Sequence, residues 1–119
     1  MFLVLALSGW NVTAATNSEE QCRQLWCDRY EGEQNVFVAE IGATADCVTE
    51  GHVAVVTQAE NWSEAIGESL QGGLIFKEKR GAIVLILRQA GDFRYWLRLN
   101  NVISAYRLPI DTYKYECRN

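Results

Sequence analysis

The chain has 119 residues, enough for one small domain with a modest hydrophobic core. Its formal net charge of −4 argues against a nucleic-acid-binding protein, because proteins that hold a phosphate backbone carry an excess of lysine and arginine. Hydrophobic residues make up 49% of the chain and charged residues 22%, which is typical of an ordinary globular protein.

The N-terminal segment is predicted to be an export signal. Its apolar run, FLVLALSGW, suits the hydrophobic core of a signal peptide and is too short to span a bilayer. Thr13 and Ala15 are the small residues that precede a cleavage site after Ala15. No lysine or arginine precedes the run, so the alternative is a buried first strand or helix. A signal over residues 1–15 leaves residues 16–119 as a single domain and predicts a periplasmic or secreted protein.

Four cysteines support export, because an even set in a short exported chain is typical of a disulfide-bonded protein. Cys22 and Cys27 lie in a predicted helix, about 140° apart around its axis, so they are not expected to pair with each other. We predict the bridges Cys27–Cys47 and Cys22–Cys117. The alternative is a zinc site, which is disfavoured because the chain has no C-x-x-C motif and only one histidine.

The hydrophobic pattern predicts three helices and five strands. In chain order, these are a helix over 19–30 capped by Asn17 or Ser18, strands over 36–41, 45–48 and 53–56, a helix over 60–71, a strand over 82–87, a helix that Asp92 caps, and a strand over 110–117. Gly42 is expected to turn the chain, and Gly72 and Gly73 to end the second helix. The order α-β-β-β-α-β-α-β predicts an α/β (α+β) domain in which helices flank a mixed sheet.

The segment from Asp46 to Leu70 resembles the sequence pattern of a known protein family, and its matching residues align with that pattern without a gap. Its matching residues are Asp46-Cys47-Val48-Thr49, His52, Trp62, Glu64-Ala65-Ile66-Gly67 and Leu70, and the strand 83–87 follows them. They resemble a small exported bacterial branch of the PD-(D/E)XK nuclease superfamily. The pattern of that branch is D-C-L-T, a turn, H-A-I-E-x-D-F-x-x-K-W-x-E-A-I-G-Q-x-L-x-Y and an apolar I-V-L-I-L strand. With the order of elements included, the resemblance extends from Glu19 to Cys117 and implies the restriction-endonuclease-like fold.

The resemblance also implies an active site of which this chain lacks most residues. In the family, acidic groups converge on Mg²⁺, which lowers the pKa of a water and stabilises charge on the phosphate. Asp46 stands at the position of the first aspartate. The next acidic residues, the lysine, and the Gln and Tyr of the helix fall at Val55, Thr57, Asn61, Glu68 and Gly72. A lone Asp46 does not assemble the usual metal site, so the resemblance implies a nuclease fold without catalysis.

A migrated metal site is the enzyme alternative. Glu68 replaces a residue that points toward the active site in the family, so Asp46, Glu68 and Glu19 would meet around Mg²⁺, and Glu64 would orient them. Alternatively, Glu60, Glu64 and Glu68 are a solvated helix face at four-residue spacing. The same acidic stripe would suit an inhibitor-like protein that mimics a nucleic-acid backbone.

Two further sets of residues have a functional and a structural interpretation. His52, the only histidine, lies at the start of a strand and would serve as a general base, although such a residue is more often structural. A phosphate-binding patch would be formed by Lys77, Lys79, Arg80, Arg94 and Arg98. Its alternative is a solvated loop and helix face.

The sequence therefore predicts an exported, disulfide-stabilised PD-(D/E)XK domain that has lost nuclease activity and serves as a binding module. An unknown protein is the expected partner, and the net charge disfavours nucleic acid. No cofactor is expected unless the migrated site holds Mg²⁺. No membrane span is expected after removal of the signal.

Overall fold

A computed structural model describes residues 17–117, which form a five-stranded mixed sheet and three helices. The elements are α1 (Glu19–Arg29), β1 (Glu33–Val38), β2 (Ala43–Val48), β3 (His52–Gln58), α2 (Trp62–Ile75), β4 (Arg80–Ile86), α3 (Phe93–Tyr106) and β5 (Ile110–Tyr115). The predicted order of elements and the mixed sheet are confirmed over these residues. The predicted export signal over 1–15 lies outside the described residues.

The five strands lie in the sheet in their order along the chain. Strand β2 is antiparallel to both of its neighbours, β1 and β3, because short turns connect the three strands. One of these turns contains Gly42, whose positive φ of 63° confirms the predicted change of direction. Strands β3, β4 and β5 run parallel, because α2 and α3 return the chain to the same end of the sheet.

Helix α1 begins with a capping box. The Ser18 hydroxyl accepts a hydrogen bond from the Gln21 N–H at 3.1 Å, and the Gln21 side chain accepts one from the Ser18 N–H at 2.8 Å. Of the two predicted caps, Ser18 is therefore the one used. Glu19 and Glu20 occupy the first turn, where the partial positive charge of the helix end stabilises them.

Strand β1 begins and ends three residues before its predicted limits of 36–41, and helix α2 also departs from its predicted limits. A 3₁₀ turn, Ala59–Asn61, precedes it, and the helix runs through Gly72 and Gly73 to Ile75. The prediction that the two glycines end it was wrong. At Gly72 an added Cβ would lie 3.2 Å from a Val53 methyl group, so the glycine lets α2 pack closely on β3. This tertiary packing outweighs the low helix propensity of glycine, about 1 kcal/mol per residue.

The sheet separates two hydrophobic layers, and β4 contributes to both. On the face covered by α1, the core consists of Cys22, Trp26, Cys27, Cys47, Ala54, Val56, Ala82, Val84, Ile86 and Cys117. On the face covered by α2 and α3, it consists of Ala59, Ala65, Ile83, Leu85, Leu87, Leu99 and Ile110. Strand β4 is therefore covered on both faces, as expected of a strand with a continuous apolar sequence.

Both predicted disulfides are confirmed. Cys27 bonds to Cys47 with Cα atoms 5.7 Å apart, and Cys22 bonds to Cys117 with Cα atoms 5.9 Å apart. All four cysteines are thus in disulfides, which leaves none as a zinc ligand. Both bridges start in α1 and attach it to the sheet. Two disulfides in a chain of this size are typical of a protein that folds in an oxidising compartment.

The two bridges are expected to stabilise the fold unequally. Cys22–Cys117 spans 95 residues and Cys27–Cys47 spans 20. Since the longer loop restrains the unfolded chain more, Cys22→Ala/Cys117→Ala should lower the free energy of unfolding by about 1 kcal/mol more than Cys27→Ala/Cys47→Ala. Urea unfolding of the two double variants measures this. Each is a control for the other, because all four side chains are 3% exposed or less. An equal loss would contradict the prediction.

Candidate functional site

Strands β2 and β3 separate and leave a cleft beside α2. Their register consists of two residue pairs, Cys47 with Ala54 and Val48 with Val53, whereas β2 stays paired with β1 as far as Ala43. The resulting space of about 240 Å³ is named here the β2–α2 cleft. Its lining residues are Val38, Ile41, Ala43, Thr44, Ala45, Asp46, Val53, Ala54, Val55, Glu68, Gln71, Gly72, Ile75 and Phe76.

Asp46 lines the cleft from β2 and has a structural role there. Its Oδ2 accepts a hydrogen bond from the Val56 N–H at 2.9 Å, just beyond the last residue pair between β2 and β3. Its Oδ1 lies 3.8 Å from Nε of Arg23 on α1. Burial nevertheless raises the pKa of Asp46 above its ordinary value of 3.8. The carboxylate is therefore held where its charge is only partly compensated.

Glu68 lines the same cleft from α2. Its side chain is exposed at the cleft, yet partial burial raises its pKa, and the negative charges of Asp46 and Glu64 add to the effect. The structure thus brings together Asp46 and Glu68, the two carboxylates of the migrated-site alternative. Glu64 is close enough to influence Glu68 electrostatically but does not line the cleft.

Glu19 has partners of its own outside the cleft lining. Its Oε2 accepts hydrogen bonds from the Thr57 hydroxyl at 2.9 Å and from the Gln58 N–H at 3.2 Å. The Asn61 side-chain amide in turn donates to the Thr57 hydroxyl at 3.3 Å. Thr57 and Asn61, which the resemblance aligns with an aspartate and the lysine, form a neutral hydrogen-bond chain that ends at Glu19. Val55 and Gly72, which the resemblance aligns with two other active-site positions, line the cleft.

Arg23 lies among three carboxylates and connects Glu19 to the cleft. Its guanidinium nitrogens are 3.4 Å from Glu19, 3.5 Å from Glu20 and 3.8 Å from Asp46. Sequence reasoning missed this residue, although its position four residues after Glu19 on one helix is a recognisable pairing signal. Among residues 17–117, no group of three or more His, Cys, Asp or Glu residues is arranged to hold a metal ion. The donor set of the described residues therefore does not fit the family's metal centre.

The three glutamates of the acidic stripe, Glu60, Glu64 and Glu68, are exposed, but they do not all face the same surface. Glu60 belongs to the 3₁₀ turn before α2, and with Glu64 it borders a shallow surface depression that also includes Asn61 and Ser63. Glu68, four residues further on, lines the cleft instead. All three side chains are exposed to solvent. The stripe is thus divided between the cleft and the open surface.

His52 lies on the sheet face opposite to the cleft. It is two residues from Ala54 in β3, so both side chains point toward the α1 layer. Its Nε2 is 2.7 Å from Oδ2 of Asp111, which also accepts a hydrogen bond from Nε of Arg80 at 3.0 Å. Arg80 is the main cause of the lowered pKa of Asp111, and His52 contributes to it. Sequence reasoning missed Asp111, because no local pattern connects it to His52.

The predicted phosphate patch is divided between two regions. Nζ of Lys79 donates to the carbonyl oxygens of Thr49 and Glu50 at 2.6 and 2.8 Å, in the turn between β2 and β3. Arg80, which is paired with Asp111, begins β4, and Lys77 precedes it in the same loop. The other two basic residues, Arg94 and Arg98, lie in α3 with their guanidinium carbons 4.7 and 5.8 Å from the Tyr95 ring centre. Helix α3 follows the opposite end of β4.

Comparison with known proteins gives no family assignment. No protein-family model matches the chain, and no significant match is found among curated proteins or solved structures. The relationship to PD-(D/E)XK nucleases therefore stays a prediction from the sequence pattern. None of the helices within residues 17–117 has the length and apolar character needed to cross a membrane.

The proximity of Asp46 and Glu68 makes their titrations interdependent. Asp46→Asn is expected to lower the pKa of Glu68 toward its ordinary value of 4.5 without reaching it, because partial burial is the larger cause of the raised pKa. Side-chain ¹³C NMR titration of the glutamate carboxyl carbons measures the shift. Asp111→Asn is the control and should leave the Glu68 pKa unchanged. An unchanged pKa in Asp46→Asn would contradict the proposed proximity.

The raised pKa of Asp46 also predicts a pH dependence of stability. The folded protein binds the Asp46 proton more tightly than the unfolded chain does, so ionisation of Asp46 destabilises the fold as pH rises above about 3.8. Asp46→Asn keeps an acceptor for the Val56 N–H and removes the charge. The free energy of unfolding of this variant should therefore increase relative to that of the wild type as pH rises from below 3.8 to neutral. Urea unfolding at several pH values measures the difference, and a constant difference would contradict the prediction.

Proposed function

We propose that this chain is an exported, disulfide-stabilised domain of the PD-(D/E)XK fold that has lost nuclease activity and binds a protein partner. The fold assignment is supported by the order α-β-β-β-α-β-α-β and by the place of Asp46 where β2 leaves β3. Export to the periplasm or the extracellular medium is supported by the two disulfides.

The observation that best supports the proposed loss of catalysis is the position of Arg23. In the family, acidic side chains converge on a metal cation that lowers the pKa of a bound water and stabilises charge on the phosphate. Here the guanidinium of Arg23 lies 3.4 to 3.8 Å from three carboxylates. It compensates part of their charge but has no coordination position for water. The residues aligned with the family's second aspartate and its lysine are neutral: Thr57 donates a hydrogen bond to Glu19, and Asn61 donates one to Thr57.

A divergent Mg²⁺-dependent nuclease is the second candidate. The observation in its favour is that Asp46 and Glu68 line one cleft and that both have raised pKa values. Carboxylate oxygens are the ligands that Mg²⁺ prefers, and waters commonly complete its coordination. This candidate ranks second because the Val56 N–H and Arg23 already engage both oxygens of Asp46.

The first test combines titration calorimetry with a nuclease assay. Mg²⁺ and Mn²⁺ are titrated into the oxidised protein, and cleavage of single- and double-stranded DNA is followed with the same ions. The wild type is expected to show neither saturable binding nor cleavage, because Arg23 compensates the carboxylates. Arg23→Ala should gain weak binding of divalent ions, since three carboxylates then lose their cation. Arg29→Ala, in the last turn of the same helix, is the matched control and should behave as the wild type.

One outcome would establish the second candidate instead. Cleavage above background by the wild type, abolished by a chelator and by Asp46→Ala, would show that Asp46 belongs to a working metal site. Loss of the same cleavage in Glu68→Ala would complete the assignment.

A further inference from the structure

The β2–α2 cleft has walls suited to an aliphatic chain. Its larger apolar side chains come from the β1–β2 hairpin, from β3 and from the end of α2: Val38, Ile41, Val53, Val55, Ile75 and Phe76. Burial of an aliphatic stem against these side chains would contribute about 25 cal/mol per Å² of apolar surface removed from water. The cleft is nevertheless not purely apolar, because Asp46 and Glu68 also line it.

Negative charge exceeds positive charge at the cleft. Asp46 and Glu68 are the charged side chains that line it, and Arg23 is the cation beside Asp46, at 3.8 Å. Arg23 is shared with Glu19 and Glu20, at 3.4 and 3.5 Å, so it compensates only part of the charge of Asp46. Glu68 has no hydrogen-bond or ion-pair partner among the described residues. The cleft therefore combines apolar walls with uncompensated carboxylate charge.

We infer that the β2–α2 cleft is the docking site for a lysine side chain of a protein partner. The lysine stem would pack against the apolar walls, and its ammonium group would lie between Asp46 and Glu68. The inference rests on the proposed binding function and specifies the chemistry of the partner. The carboxylates favour binding of a cation, and the apolar walls favour a cation at the end of an aliphatic side chain.

Lysine fits the oxygen atoms better than arginine does. A guanidinium donates two parallel hydrogen bonds to both oxygens of one carboxylate. Oδ2 of Asp46 accepts the Val56 N–H at 2.9 Å and Oδ1 lies 3.8 Å from Arg23, so a guanidinium would direct its two parallel hydrogen bonds to Glu68 alone and leave Asp46 without a new cation. An ammonium group is a compact charge with three diverging donors. It can contact one oxygen of Asp46, on β2, and one oxygen of Glu68, on α2, at the same time.

The test uses three blocked peptides and the oxidised protein. Acetyl-Gly-Lys-Gly-amide, its norleucine analogue and its arginine analogue are titrated while amide NMR spectra are recorded. The lysine peptide should shift the amides of Ala45, Val55 and Gly72 saturably, with a Kd at least about fivefold lower than that of the norleucine peptide, since a hydrogen bond between charged groups contributes about 1 kcal/mol or more. Glu68→Gln should remove most of this difference. Glu60→Gln is the matched control, on the open surface, and should keep it.

Several results would overturn the inference. They are equal affinity for the lysine and norleucine peptides, shifts centred on Glu60 and Glu64, and unchanged affinity in Glu68→Gln. Tighter binding of the arginine peptide would overturn the choice of lysine. Failure of the proposed function is distinguishable, because DNA cleavage with Mg²⁺ would disprove the loss of catalysis whatever the peptides do. Absence of cleavage together with no lysine preference would leave the proposed function standing and reject this docking site.

Discussion

The backbone amide of Val56 needs a hydrogen-bond acceptor once β2 has left β3, and the Asp46 carboxylate provides it at 2.9 Å. A buried N–H without a partner would destabilise the fold by roughly 1–3 kcal/mol, so the separation of the two strands depends on such an acceptor. Two consequences follow from this one bond. The β2–α2 cleft can remain open, and a carboxylate is fixed at its wall. The residue that most resembles a catalytic aspartate is therefore also part of the framework, and its presence alone does not indicate catalysis.

Under the proposed function, the charges around Asp46 account for the absence of catalysis. Arg23 lies 3.8 Å from Asp46, and Thr57 and Asn61, which the resemblance aligns with an aspartate and the lysine, are neutral. The arginine compensates only part of the negative charge, and Glu68 adds to the excess. Under the same proposal, the apolar cleft and its negative charge serve the recognition of a cation and not the hydrolysis of a phosphate ester.

Much of this fold follows from local patterns in the sequence. The apolar run of β4, the polar cap candidates Asn17 and Ser18 and the spacing of Cys22 and Cys27 predict a buried strand, the start of α1 and the absence of a bond between these two cysteines. Other features depend on contacts between distant residues. Gly72 stays helical because it packs on Val53, and Asp111 reaches His52 only when β3 and β5 lie on either side of β4. Propensity and spacing carry no information about such contacts. The gathering of Asp46 and Glu68 was anticipated from the resemblance, whereas the intervening Arg23 was not.

Arg23 lies in α1 between Cys22 and Cys27, the two cysteines through which the helix is covalently attached to the sheet. The position of the guanidinium beside Asp46 is therefore fixed by both disulfides as well as by packing. Reduction would remove both covalent attachments at once and leave the guanidinium held by packing and by its carboxylate partners. The disulfides on one face of the sheet and the charge balance of the cleft are consequently linked through a single helix.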